Sequence, residues 1–352
     1  MSPVRVDLQS DTKSRPTPAM RKAMAEAEVG DEQAGEDPSI NLLCRRVAAL
    51  LGKEAAVFLP SGIMCNQVAI LTHCQPGDEI LADEFSHIFV SEGAGAAVLA
   101  GAQIRPLRGT RGMFTAADVE AALRPAGKRN APRSRLVEVE QTANRGGGAV
   151  WPLAQLQEVG GAARAHGLRS HMDGARLLNA VVASGVPAAE QAAPFDSVWL
   201  DLSKGLGCPV GGVLAGSAEF IDAAWRWKTR LGGAMRQSGI LAAAGLHALD
   251  HHVERLADDH ANAKVLARRL AQIPGVRLDP PEVETNLVFF DIAETGWKAP
   301  QLESALRARG IRMGSENQRR LRAVTHLDVT RAGVEEAGEA VADILRGAPP
   351  TA

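Results

Sequence analysis

The sequence contains no tyrosine, and aromatic residues make up only 4% of the chain. Its cysteines are Cys44, Cys65, Cys74 and Cys208. They lie in apolar segments without the spacing of metal ligands, so we expect buried, reduced thiols and no metal site. No apolar run approaches the roughly 18 residues of a membrane-spanning helix, and the first residues lack the apolar core of a signal peptide. These absences favour a cytoplasmic protein.

The sequence also lacks an excess of charge of either sign. Lysine and arginine total 39 against 41 aspartates and glutamates, for a formal net charge of −2. No run of like charge stands out, which argues against nucleic acid or a membrane surface as the main partner, because both require a concentrated basic face. A chain of 352 residues is long enough for one large domain and a smaller one.

Short apolar runs alternate with stretches of helical period over the first two thirds of the chain. The alternation predicts a mainly parallel, doubly wound α/β sheet of seven strands, covered by helices on both faces. The strand candidates are 55–59, 79–82, 103–107, 135–140, 168–172, 197–202 and 211–216. The helix candidates are 39–52, 62–75, 86–100, 115–124, 152–166, 176–184 and 218–229.

The remainder of the chain predicts a smaller α/β domain. An Ala/Leu-rich stretch from 236 to about 273, interrupted by charge, forms one connecting helix or two. Strand candidates follow at 276–278, 286–290, 311–313 and 321–326, with helices at 299–309 and 331–346 and solvated segments at 124–134 and 347–352. We therefore divide the chain into an N-terminal arm (1–14), a large domain (15–250) and a small C-terminal domain (251–352).

Lys204 is the residue around which the other motifs are interpreted. It directly follows an apolar, strand-like run and precedes Gly205, Gly207 and Pro209. A lysine at the end of a strand, in a partly desolvated pocket, has a lowered pKa, and its neutral amine can form a Schiff base. A surface lysine in a turn is the alternative, so the decision depends on the accompanying residues.

Two further motifs occur at strand ends. Ser61-Gly62 leads from a strand candidate into a helix, where free backbone N–H groups suit a phosphate, although an ordinary serine N-cap is the alternative. Asp173 ends another strand and can hold a protonated pyridine nitrogen, and Arg176 presents a planar fork for a carboxylate or phenolate. A local Asp173–Arg176 ion pair is the alternative.

The order of these motifs predicts the coenzyme. One helix and one strand separate Asp173 from Lys204, so both are expected at the same edge of a parallel sheet, where such sheets bind ligands. A phosphate turn, an acid for a ring nitrogen and a Schiff-base lysine are the requirements for pyridoxal 5′-phosphate (PLP).

Seven segments together resemble the L-threonine aldolases, of the threonine aldolase/β-eliminating lyase group. The segments are 7–17 (DLQSDTKSRPT), 29–39 (VGDEQAGEDPS), 60–66 (PSGIMCN), 171–176 (HMDGAR), 202–207 (LSKGLG), 232–237 (GGAMRQ) and 324–329 (VTHLDV). The resemblance extends from about residue 6 to 335. It implies the aspartate aminotransferase-like fold (PLP fold type I) and a homodimer or homotetramer with active sites between subunits.

The resemblance assigns coenzyme-binding roles residue by residue. Lys204 matches the Schiff-base lysine and Asp173 the partner of the pyridine nitrogen. Ser61, Gly62 and Ile63 match the phosphate turn, in which the family usually has threonine at the position of Ile63.

Other matches concern the substrate. His87 matches the histidine that stacks on the coenzyme ring and is a candidate base. Ser10, Arg176 and Arg322 match groups that hold the substrate α-carboxylate. Arg236 matches a basic residue near the coenzyme, in a motif expected to reach the partner subunit. We interpret His326 as structural.

Besides Ile63, two positions depart from the family pattern in a way that concerns the substrate pocket. A family histidine is replaced by Ala143 and a family tyrosine by Ala34. Both changes are expected to widen the pocket and to broaden or change the aldehyde partner. The resulting hypothesis is reversible cleavage of the Cα–Cβ bond of L-3-hydroxy amino acids (threonine, allo-threonine or bulkier analogues such as phenylserine) to glycine and an aldehyde. β-Elimination, racemisation, transamination, transaldol transfer and a non-catalytic PLP carrier are the alternatives.

Overall fold

A computed structural model gives the chain a central seven-stranded sheet, and it describes residues 3–125 and 127–349. Residues 1–2 of the predicted arm, residue 126 of the predicted loop and residues 350–352 of the predicted tail lie outside this range. The strands are β1 (Val6–Asp7), β2 (Ala55–Leu59), β3 (Asp78–Asp83), β4 (Gln103–Leu107), β5 (Arg133–Glu140), β6 (Arg169–Gly174), β7 (Ser197–Asp201), β8 (Gly212–Gly216), β9 (Arg277–Leu278), β10 (Leu287–Asp291), β11 (Ile311–Arg312), β12 (Gly314–Ser315) and β13 (Arg320–Val324).

The α-helices cover both faces of this sheet and one face of a second. They are α1 (Pro18–Ala25), α2 (Pro38–Leu51), α3 (Gly62–His73), α4 (His87–Val90), α5 (Gly95–Ala100), α6 (Ala116–Ala122), α7 (Leu153–Ala165), α8 (Leu177–Ser184), α9 (Ala188–Ala192), α10 (Ala218–Arg230), α11 (Gly239–His251), α12 (Leu256–Leu270), α13 (Ala299–Ala308) and α14 (Arg331–Arg346).

The strand order of the large sheet is β2–β8–β7–β6–β5–β3–β4. The pairs from β7 through β6, β5 and β3 to β4 are parallel, whereas β8 runs antiparallel to both β2 and β7. The sheet is therefore mixed with a parallel majority, as the alternating pattern predicts. All five residues of β7 are buried, as expected for a strand covered on both faces.

The N-terminal arm belongs structurally to the smaller C-terminal part of the chain. Strand β1 pairs in parallel with β11 in a two-stranded sheet, which is separate from a four-stranded sheet of the order β12–β13–β10–β9. Val6 and Leu8 are buried in the same apolar cluster as Phe290 and Val341, which belong to β10 and α14. This pairing places the residues that follow β1 against the large domain.

The structure departs from the sequence-based predictions in three respects. The helix predicted at 86–100 is two helices, because Gly93 and Ala94 adopt positive φ values of 59° and 58° and break it. The short elements β1, α1, α9 and β12 have no counterpart in the predictions. For the Ala/Leu-rich connector, the second of the two predicted alternatives is found, since it forms two helices, α11 and α12. Cys44 is only half-buried, whereas the other three cysteines are buried.

None of the helices among the described residues combines the length and the apolar composition needed to cross a bilayer.

Candidate active site

A cavity of about 430 Å³ opens at the carboxyl ends of the parallel strands. It lies where an open α/β sheet is expected to bind ligands. All the predicted site residues except Arg236 line it, namely Ser10, Ser61, Gly62, Ile63, His87, Asp173, Arg176, Lys204 and Arg322. Residues far apart in the sequence therefore meet in one pocket.

Lys204 lies just beyond the end of β7, close to an acid that the sequence analysis did not assign. Its Nζ is 2.9 Å from Asp201 Oδ2 and 5.7 Å from the centre of the Trp199 ring. Burial alone would lower the pKa of the Lys204 amine, but the Asp201 carboxylate, with Asp11 and Asp173, outweighs burial and raises this pKa. The predicted lowering of the pKa is therefore wrong for the chain by itself.

Asp173 is buried near the end of β6 with both oxygens hydrogen-bonded. Its Oδ2 accepts from Asn66 Nδ2 at 2.8 Å, and its Oδ1 accepts from the Ala175 N–H at 2.9 Å. The predicted alternative of a local Asp173–Arg176 ion pair is not formed. A carboxylate fixed in this way can pair with a cationic ring nitrogen.

The turn before α3 has the form expected of a phosphate site. Ser61 caps the helix, with Oγ accepting from the Met64 N–H at 3.2 Å. Gly62 lies against a fixed ring, since a Cβ atom there would be 2.3 Å from Trp199 Cη2. The Ile63 side chain is 45% exposed and supplies no hydroxyl, so the anion-binding capacity of this turn comes from backbone N–H groups and the helix dipole.

His87 begins α4 beside the cavity. Its backbone N–H donates to Glu140 Oε2 at 2.9 Å, which fixes the start of the helix. Its ring Nδ1 is 2.8 Å from Glu92 Oε1, and the side chain is 35% exposed. The ring therefore has one nitrogen held by protein and one without a partner among the described residues.

Arg176 lies in the cavity wall, but most of its fork is occupied. Its Nε and Nη2 donate to the two oxygens of Asp11 at 2.7 and 2.8 Å. Both side chains are buried, and Asn286 also donates to Asp11 at 3.1 Å. Arg176 therefore holds the N-terminal arm, and only Nη1 remains for a ligand.

Arg322 reaches the cavity from β13 and makes only long contacts. Nη1 donates to Asn144 at 3.2 Å, Nη2 donates to the Gln9 carbonyl at 3.4 Å, and Nε is 3.5 Å from Glu316. Burial and the neighbouring Arg176 guanidinium lower the pKa of Arg322. This guanidinium is the cavity side chain best prepared to receive a carboxylate.

Arg236 does not line this cavity in the single chain. Its side chain is 63% exposed and pairs with Asp31 at 2.8 Å. Nearby, the buried Lys228 amine pairs with Glu32, whose other oxygen accepts from the Met235 N–H at 3.0 Å. These contacts bind the 29–39 and 232–237 motifs to each other as one unit.

The two alanine substitutions do not enlarge the cavity within one chain. Ala143 is buried and borders a separate space of about 10 Å³. The backbone of Gly112, at φ 77°, closes over it, since a Cβ on Gly112 would be 2.8 Å from the Ala143 Cβ. Ala34 lines a different cavity, of about 510 Å³, beside α2. Neither alanine lines the candidate cavity of the single chain, so the expected effect of Ala143 and Ala34 on the aldehyde partner stays a prediction.

Ligand atoms of His87, Glu92 and Asp173 lie within 4.8 Å of one another, as in a metal site. However, the Asn66 amide donates to both carboxylates, at 2.7 and 2.8 Å. The amide hydrogens therefore occupy the space between the carboxylates, where a cation would have to sit. The group is better described as a hydrogen-bonded network than as a metal centre.

Several site residues were missed by sequence reasoning. Asp11 and Asn66 lie inside the motifs of the family resemblance and Asp201 directly precedes one of them, but nothing in the spacing indicates their partners. Asp201 could have been found, because it ends β7 in the way that Asp173 lies near the end of the adjacent β6. Glu92 had no sequence signal, since it lay inside a predicted continuous helix.

The fold is the aspartate aminotransferase-like fold. The aspartate aminotransferase of Rhizobium meliloti superposes with a TM-score of 0.71 at 15% identity, covering 98% of this chain and 92% of that one. Leishmania major threonine aldolase gives a TM-score of 0.82 at 20% identity, covering 97% and 99%.

Sequence comparison places the chain more narrowly. The family model described as "Beta-eliminating lyase" matches residues 7–293. The low specificity L-threonine aldolase of Escherichia coli (strain K12) is 41% identical over 332 residues, which are 94% of this chain and 96% of that protein. The chain belongs to the beta-eliminating lyase family, and it is a PLP-dependent lyase.

The residues present fit this coenzyme. A buried carboxylate, an amine at a strand end and a helix N-terminal turn face one cavity, and the turn carries a glycine where any side chain would strike Trp199. The predicted L-threonine aldolase resemblance and the predicted fold are therefore confirmed.

Proposed function

We propose that the protein cleaves the Cα–Cβ bond of L-3-hydroxy amino acids reversibly, giving glycine and an aldehyde. The observation that carries the proposal is the presence of Lys204, Asp173, His87 and Arg322 in one cavity. The names of the relatives point to the same activity. When bound, PLP supplies an electron sink for the electrons of the broken bond.

Each cavity residue has a role in this proposal. Lys204 would hold the coenzyme covalently, and Asp173 would pair with its ring nitrogen. The turn at Ser61, Gly62 and Ile63 binds the phosphate through backbone N–H groups.

The substrate carboxylate binds mainly to Arg322, with Ser10 and the free Nη1 of Arg176 beside it. This anchoring orients the bond to be broken relative to the ring. His87 takes the proton of the β-hydroxyl group.

A second copy of the chain completes the site in this proposal. Six exposed large apolar side chains of the described residues lie at or near the cavity. One is Ile63, which lines the cavity. The other five belong to the segment 85–99 around His87, namely Phe85, Phe89, Val90, Val98 and Leu99. An exposed apolar group of this size favours burial against a partner. The unit formed by the 29–39 and 232–237 motifs, with Arg236, is proposed to reach the partner's cavity. We retain the division 1–14, 15–250 and 251–352 and a cytoplasmic location as parts of the same proposal.

Product analysis tests the proposal. Purified holoenzyme is incubated with threonine, allo-threonine and phenylserine, and glycine, aldehyde, ammonia and keto acid are measured. Glycine and aldehyde in equal amounts support cleavage. Ammonia and a keto acid would instead establish β-elimination, and glycine transfer that requires an added aldehyde would establish transaldol chemistry.

A further inference from the structure

Glu92 is a buried carboxylate in the loop that follows α4, and three side-chain nitrogens converge on it. Its Oε1 is 2.8 Å from His87 Nδ1 and accepts from Asn66 Nδ2 at 2.7 Å. Its Oε2 accepts from Gln67 Nε2 at 2.6 Å. With both oxygens used as acceptors, the nitrogen of His87 that faces Glu92 carries a hydrogen.

Asn66 fixes Glu92 relative to the rest of the site. Its Nδ2 donates to both Glu92 and Asp173, and its Oδ1 accepts from Trp199 Nε1 at 2.8 Å and contacts His171 Nε2 at 3.1 Å. Because an indole N–H can only donate, the orientation of the amide is determined. Asn66 thus connects the acid proposed for the ring nitrogen to the carboxylate that holds His87.

We propose that Glu92, held by Asn66, is a positioning residue that keeps His87 in the Nδ1–H form with Nε2 free for the cavity, so that His87 serves as the proton acceptor of the cleavage reaction. The proposal rests on the proposed function above. The O–H bond of the substrate β-hydroxyl breaks as the Nε2–H bond forms, and the oxygen electrons form the aldehyde C=O as the Cα–Cβ bond breaks. The electron pair of that bond stays on the glycine fragment, which takes a proton from solvent at Cα to give glycine, and His87 afterwards releases the β-hydroxyl proton to solvent. The imidazolium charge is balanced by Glu92.

The charges around His87 predict how this arrangement responds to pH. Burial alone would lower the pKa of His87, but the hydrogen bond to Glu92 and the charges of Asp173, Glu92 and Glu140 outweigh it and raise this pKa above 6.5. The other charged side chains of the cavity wall are Arg145, Arg176, Asp201, Lys204, Glu316 and Arg322. The neutral form of His87, which can accept a proton, therefore predominates only above the raised pKa. Removal of the Glu92 charge should lower this pKa, so neutral His87 should then predominate down to a lower pH.

The variant Glu92→Gln removes this charge while conserving the hydrogen bonds. The new amide oxygen can face His87 and Asn66, and the new NH₂ can face Gln67. Gln67 can accept that bond by turning its own amide, because its Oε1 has no partner among the described residues. Glu79→Gln is the matched control. Glu79 is equally buried, but it lies near the start of β3, away from the cavity at the carboxyl ends of the strands, and it pairs with Arg124.

The experiment measures phenylserine cleavage by the holoenzymes from pH 5.5 to 9.5, together with the absorbance of bound PLP. We expect the acid limb of kcat/KM to move to lower pH by about 1 to 3 pH units in Glu92→Gln, with PLP retained and the Glu79→Gln limb unmoved. At pH 8.5, kcat/KM should fall by about 10- to 100-fold, less than loss of the base itself. For each pH unit by which the limb moves, this deficit becomes about tenfold smaller at a pH below both pKa values.

An unmoved limb in Glu92→Gln, or an equal loss at all pH values accompanied by loss of PLP, overturns the proposal. If Glu92→Gln does not fold, Glu92→Asp is tested instead, because it keeps the charge but shortens the side chain by one methylene. Wild-type activity of Glu92→Asp would likewise overturn the proposal. Failure of the underlying function is distinguishable, because the wild-type holoenzyme would then form no glycine.

Discussion

Replacing Gly62 by alanine tests whether the Trp199 indole fixes the position of the phosphate turn. The added Cβ would lie 2.3 Å from Cη2 and 2.8 Å from Cζ3 of that ring. The ring cannot yield easily, because it is only 2% exposed and its Nε1 is hydrogen-bonded to Asn66 Oδ1 at 2.8 Å. The turn itself must therefore move away from the ring.

The magnitude follows from the cost of overpacking. An additional methyl group in a closely packed site costs about 1–3 kcal/mol. Without coenzyme the turn relieves this strain by moving, and binding of the phosphate must restore it to its place. If the whole cost falls on binding, PLP affinity decreases by about 5- to 150-fold, since each 1.4 kcal/mol is about tenfold.

Two measurements together detect the overpacking cost, whether it reduces PLP affinity or the stability of the apoenzyme. PLP affinity is measured by titrating the apoenzyme and following the absorbance of the Schiff base, and the free energy of unfolding of the apoenzyme is measured in urea. The control is Gly161→Ala on α7, where a Cβ has nothing within 4 Å. This control should stabilise the chain by about 0.5–1 kcal/mol, because alanine is the better helix residue.

A partial rescue sharpens the test. Trp199→Phe removes the outer ring atoms that the new methyl group meets, at the loss of the hydrogen bond to Asn66. In the Gly62→Ala background it should recover part of the PLP affinity. Wild-type affinity and wild-type stability of Gly62→Ala together would refute the argument that the indole sets the turn.

The remaining predictions concern single side chains. Lys204→Ala should lose the visible absorbance of bound PLP and yield no borohydride-trapped peptide; an adduct at another lysine would contradict the assignment. Arg322→Gln should lower kcat/KM by about 10- to 100-fold, the value of a charge-assisted hydrogen bond, while the PLP absorbance stays unchanged; an unchanged kcat/KM would remove the carboxylate role. Asp11→Asn leaves the buried Arg176 unpaired and should cost about 3–5 kcal/mol of unfolding free energy in urea, a loss that a surface arm would not show. Burial lowers the pKa of His171 from 6.5 to about 3, so the unfolded chain binds this proton first and stability should fall as the pH decreases from 6.5 towards 3, with His171→Gln reducing that slope.

The sequence was most informative where chemistry occurs directly at a strand end. The strands that carry Asp173 and Lys204 read as apolar runs because helices bury both faces of the sheet, so the positions of these two residues followed from the pattern. The coenzyme could be predicted for the same reason, as each of its requirements lies at a junction between a strand and a turn or helix.

The pairings within the site could not be predicted in the same way. Asp11 and Arg176 are separated by most of the large sheet in sequence, and only the folded arm brings them together. Glu92 faces His87 because the helix breaks at Gly93 and Ala94, and alanine has no intrinsic preference for the positive φ found there. The pKa of Lys204 was predicted in the wrong direction because it depends on the distance to Asp201, which a motif does not encode.

The pairing of β1 with β11 has a consequence for biosynthesis. On the ribosome, the residues that pair with the arm, Ile311 and Arg312, emerge only after every strand of the large sheet has been made, so the nascent large sheet can form while its N-terminal segment is still unpaired. Ser10 then joins the cavity, and Asp11 pairs with Arg176, after the large sheet is complete. Until the arm is in place, the Arg176 guanidinium lacks its bidentate partner, and of the acids that raise its pKa only Glu140 and Asp201 remain.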